Sequence, residues 1–294
     1  MTILLGLSGA LAYGFADFLG GLASRSIRPI VATAWAALIG LVPLVVGLAV
    51  LGGQFTANAL LWGAVAGVSG SVGVLMLYTA LAVGPMSVLS PVTSVVSVIV
   101  PVSIGLIFAG SRLSALGATA MIVAVIAVAL VGAVKDRSGS RLTGRGLLTA
   151  AISGCGFGGL VLAYAATSPD EGLAPLVVAR IVQAVVMWIG VAVVIGRERR
   201  RQAPATTLSP GRSGKLWLQL AICGTLDASA NVLIQAALHS GATADVLPVV
   251  SVLNALYPIG TVILAAVVLR ERLTLLQIVG LALALAASAV LATT

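Results

Sequence analysis

The feature that most constrains this chain is a succession of ten apolar stretches, at roughly 3–22, 29–51, 59–83, 86–109, 113–134, 144–167, 173–195, 216–238, 244–269 and 274–292, separated by short polar turns. Most reach the ~20 residues that a helix needs to span ~30 Å of hydrocarbon. A soluble domain carries about a quarter charged residues, whereas this chain of 294 has 8% charged and 60% hydrophobic residues. Lipid is its solvent. Backbone groups in lipid must pair within the spanning structure, which leaves helices or closed barrels. Barrel strands would alternate polar and apolar residues in segments of about ten, and these stretches do not. The expected fold is an all-α integral membrane protein of ten transmembrane helices.

The chain also repeats itself. Pro91 and Pro101 recur 157 positions later as Pro248 and Pro258. At that offset residues 80–109 and 237–266 share nine identities, among them Gly84/Gly241 and Ser94/Ser251. Composition supplies Ala, Val and Leu matches by itself; two prolines, a glycine and a serine in one ungapped register require duplication. The reading is two five-helix repeats, 1–137 and 138–294. Internal repeats with broken or kinked helices at corresponding places are a common build of secondary transporters.

A net charge of +8 does not point to nucleic acid once the charges are placed. With the loops after odd-numbered segments on one side, that side holds fourteen basic residues: Arg25, Arg28, Lys135, Arg137, Arg141, Arg145, Arg197, Arg199, Arg200, Arg201, Arg212, Lys215, Arg270 and Arg272. The other side has Arg112, and Arg180 falls within a segment. Positively charged loops stay cytoplasmic, so the odd-numbered loops are expected inside and both termini outside a cell inner membrane. An odd number of helices per repeat makes the halves inverted. The first segment reads as a retained helix, because no basic residue precedes it and no small-x-small cleavage site opens a soluble domain.

Ionisable groups at membrane depth are expensive, ~2.5–3.5 kcal/mol at a helix centre, and must face inward. Asp17 in the first segment and Asp227 in the eighth are the two carboxylates there, candidates for proton or cation coupling. Tyr13 lies one turn before Asp17, and Asp227, Asn231 and Gln235 form a stripe at i, i+4 and i+8. Arg180 in the seventh segment, with Gln183 one turn on, has three readings: pairing with an Asp, holding a substrate carboxylate, or snorkelling to the interface. Ser94 in the fourth segment and Ser251, Asn254 and Tyr257 in the ninth offer matched polar faces beside expected kinks at Pro101 and Pro258. They are candidates for a cavity wall.

Other residues read as structure. Gly63/Gly67/Gly70 and Gly154/Gly156/Gly158/Gly159 permit close helix approach. The fifth and tenth segments are apolar all round, facing lipid or a homodimer partner. One histidine and two separated cysteines assemble no common zinc or di-iron site, and no phosphate-cradling glycine loop occurs. No cofactor, metal or catalytic residue is expected.

The stretch Leu247-Pro-Val-Val-Ser-Val-Leu-Asn-Ala-Leu-Tyr-Pro258, with Leu269-Arg-Glu-Arg-Leu-Thr274 after it, resembles the EamA-like family of the drug/metabolite transporter superfamily. Glu271 and Gly280 match the family's acidic position at the end of the ninth helix and its glycine in the tenth. The first half departs from the pattern: Gly110-Ser111-Arg112-Leu113 carries no glutamate, and Gly117 lies 163 rather than 157 residues before Gly280. The resemblance implies helices around a central cavity and exchange or efflux of small metabolites such as amino acids, often gradient-coupled. The leading reading is a secondary transporter, an exporter of a small organic solute, that works by alternating access with proton coupling. An uncoupled facilitator is the alternative, and an integral-membrane lipid enzyme a third, disfavoured because Asp170, Glu171 and Asp245 are all that the outer loops offer.

Overall fold

A computed structural model describes residues 1–108, positions within 115–127, and residues 143–201, 211, 213–240, 250, 253–270 and 274–291. The helices are α1 (Thr2–Ser24), α2 (Pro29–Leu51), α3 (Ala57–Val83), α4 (Met86–Phe108), α5 (Gly144–Ala165), α6 (Ala174–Arg201), α7 (Gly214–Leu238), α8 (Pro258–Val268) and α9 (Leu275–Leu291), with a 3-10 turn at Pro169–Glu171. Thus α1 to α4 are the first four apolar stretches, and α5 to α9 are the sixth to the tenth. Among the described residues α1, α2, α3, α5, α6 and α7 are long and apolar enough to cross a membrane. Ser251, Glu271 and most of the fifth stretch lie outside the described residues.

Helix starts follow from local chemistry. Three helices open on a hydroxyl side chain that accepts an otherwise orphaned backbone N–H: Thr56 from Ala59, Thr143 from Gly146 and Ser213 from Leu216. Pro29 opens α2, where its missing N–H costs nothing.

Pro91, Pro101 and Pro258, the repeat prolines among the described residues, do not act alike. Pro91 and Pro101 lie inside a continuous α4, whereas Pro258 is the first residue of α8, after a turn at Leu256 and Tyr257. Pro258 has no N–H for the Asn254 carbonyl. Local bonds shift to i−3 spacing instead, with Tyr257 N–H donating to Asn254 O at 3.0 Å and Gly260 N–H to Tyr257 O at 3.2 Å. The ninth stretch is therefore broken, not merely kinked, at this point. The break lets α1 come close: a Cβ on Gly14 would collide with the Tyr257 carbonyl oxygen and stand 3.0 Å from Gly260 Cα. Thr261 Oγ1 donates to Gly14 O across the same contact, at 3.0 Å.

Packing runs across the molecule. α3 lies against α5 and α6, α2 against α6 and α7, α1 against α7 and α8, and α4 against α5, α8 and α9. Small residues set these distances, as the glycine clusters predict: Cβ atoms on Gly63 and Gly67 would stand 2.7 and 2.6 Å from the carbonyls of Pro175 and Ala179. Large apolar side chains such as Leu4, Val42, Leu61, Ile189 and Val267 point outward. A rim of that kind suits hydrocarbon.

Both ends of the bundle carry polar ties. At the basic end Arg28 pairs with Glu198, and Arg25 Nη2 donates to Gly84 O at 3.2 Å. At the opposite end buried Glu171 accepts from Thr56 Oγ1, from Asn58 Nδ2 at 3.2 Å and from Ser168 N–H at 2.9 Å. This joins the α2–α3 connection to the α5–α6 connection. Gly172 turns the chain there at φ +53°, a left-handed conformation that glycine adopts without strain.

Candidate functional site

Six buried polar residues, Asp17, Arg180, Gln183, Asp227, Asn231 and Asn254, line two adjoining chambers within the helix bundle. The larger is lined by Tyr13 of α1, Gly70 of α3, Phe157 and Tyr164 of α5, Arg180 and Gln183 of α6, and Asp227 and Asn231 of α7. The smaller is lined by Tyr13 and Asp17 of α1, Phe157, Leu160 and Val161 of α5, and Asn254 and Tyr257 at the break before α8. Tyr13, Phe157 and Leu160 belong to both and form the wall between them. Phe157 meets Tyr257 edge to face, with ring centroids 6.4 Å apart.

Arg180 and Asp227 form an ion pair in the larger chamber, Arg180 Nη2 donating to Asp227 Oδ2. Arg180 is 5% exposed, so its snorkelling reading is set aside. Its Nη1 donates to Gln183 Oε1 at 2.9 Å, and Gln183 Nε2 points at Gly70 O at 3.5 Å. Asn231 Nδ2 donates to the Asp227 carbonyl at 2.7 Å. Its Oδ1 has no partner among the described residues. A buried guanidinium with a single carboxylate partner keeps further donors for another anion, since the group carries five N–H bonds.

Asp17 differs from Asp227. It is 3% exposed, and among the described residues no arginine or lysine pairs with it. Asn254 and Tyr257 share its chamber; Tyr257 donates its hydroxyl proton to Ser90 O at 3.3 Å.

Of the other candidates, Ser94 and Gln235 line neither chamber. Ser94 Oγ donates to Ala255 O at 2.6 Å, tying α4 to the segment before α8. Gln235, at the far end of its stripe, donates to Thr167 Oγ1 at 3.4 Å. Sequence reasoning did not single out Phe157, Leu160 or Tyr164. Their aromatic and apolar character looks like core in a chain this hydrophobic. The one signal was position, since Phe157 stands among Gly154, Gly156, Gly158 and Gly159 of α5.

The centre of a water-sized molecule can range over ≈ 20 Å³ of the larger chamber and ≈ 10 Å³ of the smaller. About 10–15 Å³ on that measure holds one water. An organic solute enters only if the helices around the chambers part.

A family model described as the EamA-like transporter family matches residues 144–293, just over half of the chain. A solved crystal structure, described only as that of a protein, shares the fold at a TM-score of 0.66, with 16% sequence identity over 98% of this chain and 95% of that one. No curated protein matches the chain.

Proposed function

Because this chain belongs to the EamA-like transporter family, whose members are multi-pass membrane transporters and not enzymes, we propose that it exports a small organic metabolite such as an amino acid by alternating access. The observation that carries the reading is the buried Arg180–Asp227 pair beside a chamber lined by five different helices of the bundle. A planar guanidinium is suited to a carboxylate. A solute carboxylate binds Arg180 in competition with Asp227, and Asp17 and Asp227 link its movement to a proton or cation gradient. Tyr13 and Asn231 complete the polar wall.

The moving parts are two inverted five-helix halves, 1–137 and 138–294. Support comes from the packing. Exchanging the halves turns the contact of α1 with α7 into that of α5 with α3, and the contact of α4 with α5 into that of α8 with α1; all four are present. The 157-residue offset also carries Thr56 onto Ser213, and both hydroxyls cap a helix. Every one of these contacts crosses between the halves, so rocking one against the other widens the chambers first toward one side and then toward the other. By the positive-inside rule the basic end is cytoplasmic and both termini are outside. The fifth and tenth of the ten apolar stretches are where a homodimer would form.

The test is uptake of an amino-acid panel into proteoliposomes under imposed pH and cation gradients. Gradient-driven transport is expected in the wild type and is expected to collapse in Asp17→Asn and Asp227→Asn, while undiminished driving in both variants contradicts the coupling. An uncoupled facilitator, favoured by the neutralisation of Asp227 within its ion pair, would show counterflow with no gradient dependence.

A further inference from the structure

The two chambers hold the two carboxylates in different electrical states. Asp227 is balanced by Arg180. Asp17 has no such balance among the described residues, yet it is as deeply enclosed, and leaving an ion so placed without a partner is costly. A second, independent observation comes from the same chamber. Asn254 is 8% exposed, and its Oδ1 has no hydrogen-bond partner among the described residues. A buried acceptor left open in a native fold calls for a donor or a cation. Tyr257 adds a third oxygen: its proton is committed to Ser90 O, so the lone pairs of the hydroxyl remain as acceptors.

We propose that the smaller chamber is a binding site for a small monocation, held by the Asp17 carboxylate and the Asn254 amide oxygen. The size agrees: ≈ 10 Å³ open to the centre of a water-sized particle admits about one such guest. A sodium ion or a primary ammonium group fits that description, and a bulky quaternary amine does not. The all-oxygen donor set, with a single carboxylate, suits a hard cation of low charge. Around the site stand Tyr13 on the helix of Asp17, Phe157, Leu160 and Val161 on α5, and Asn254 and Tyr257 before α8. Asp227 lies beyond the Tyr13 wall with its charge spent on Arg180. The cation comes from one of two sources, an alkali-metal ion or the ammonium group of the transported solute. The second rests on the transport reading.

The experiment is a thermal-stability titration of the purified full-length protein at fixed pH and ionic strength. Sodium chloride is compared with N-methylglucamine chloride, and amino acids with the 2-hydroxy acids of the same side chain. Saturable stabilisation by sodium alone identifies the inorganic source; stabilisation by amino acids but not by their hydroxy analogues identifies the ammonium. In either case Asp17→Asn abolishes the response, Asn254→Leu weakens the apparent affinity about tenfold and Asn254→Asp strengthens it by a similar factor, as ligand charge dictates. Absence of both responses in the wild type overturns the site. So does a response that survives in Asp17→Asn, or that Asn254→Asp fails to strengthen. A protein that moves solute without either response loses this site and keeps the transport reading. One that binds sodium through Asp17 but moves no solute keeps the site and loses that reading.

Discussion

Arg180 and Asp227 lie on different helices, 47 positions apart in sequence, and each would be a liability without the other. Removing one partner of a buried pair strands the second charge, at a cost of about 3–5 kcal/mol. Arg180→Met and Asp227→Leu are each expected to lower the melting temperature strongly. The double variant recovers most of the loss, because apolar residues of similar volume replace a buried pair at little cost. Two mild single variants would show that the pair is not closed as described. Each residue was legible in the sequence, because a charge inside an apolar stretch stands out. Their pairing was not, since nothing local records which helix faces which. Ser94 shows the converse: its hydroxyl was conspicuous, but it serves a neighbouring carbonyl.

Among the elements, the break before α8 does the most to shape the site. It follows from Pro258, and it brings Tyr257 and Asn254 to Asp17 through the Gly14 contact. Pro101, its counterpart at the repeat offset, leaves α4 unbroken, so duplication of the prolines did not duplicate their consequence. The sequence offers no local rule for that difference. The connections are equally specific. Burial of Glu171 works to raise its pKa, but hydrogen bonds from Thr56, the Ser168 N–H and Asn58 outweigh burial and hold it below the usual 4.5. A depressed folded-state pKa gives stability that is fully present above the unfolded value. It is lost as pH falls below about 4.5 toward the folded value. Melting temperatures of the wild type are therefore expected to drop through this acid range, and Glu171→Gln to be less stable at neutral pH with a flatter acid profile. Parallel profiles for the two proteins would remove Glu171 from the tie between the connections.

At the scale of the whole molecule, the ten apolar stretches, the internal offset and the family resemblance are all legible in the sequence. Length and hydropathy depend on composition, which a sequence states outright. The division into two chambers was not legible, because its wall is Tyr13, Phe157 and Leu160, ordinary residues in a membrane helix. The proposed transport rests on a solute carboxylate meeting Arg180 between two halves that part and close. Counterflow of labelled amino acids in proteoliposomes tests this most directly, since it requires a binding site that alternates between the two sides but no gradient. Wild-type protein should accumulate label against unlabelled internal amino acid, and the Arg180→Met/Asp227→Leu protein, folded by its melting curve, should accumulate none. Equal accumulation by both would contradict the account.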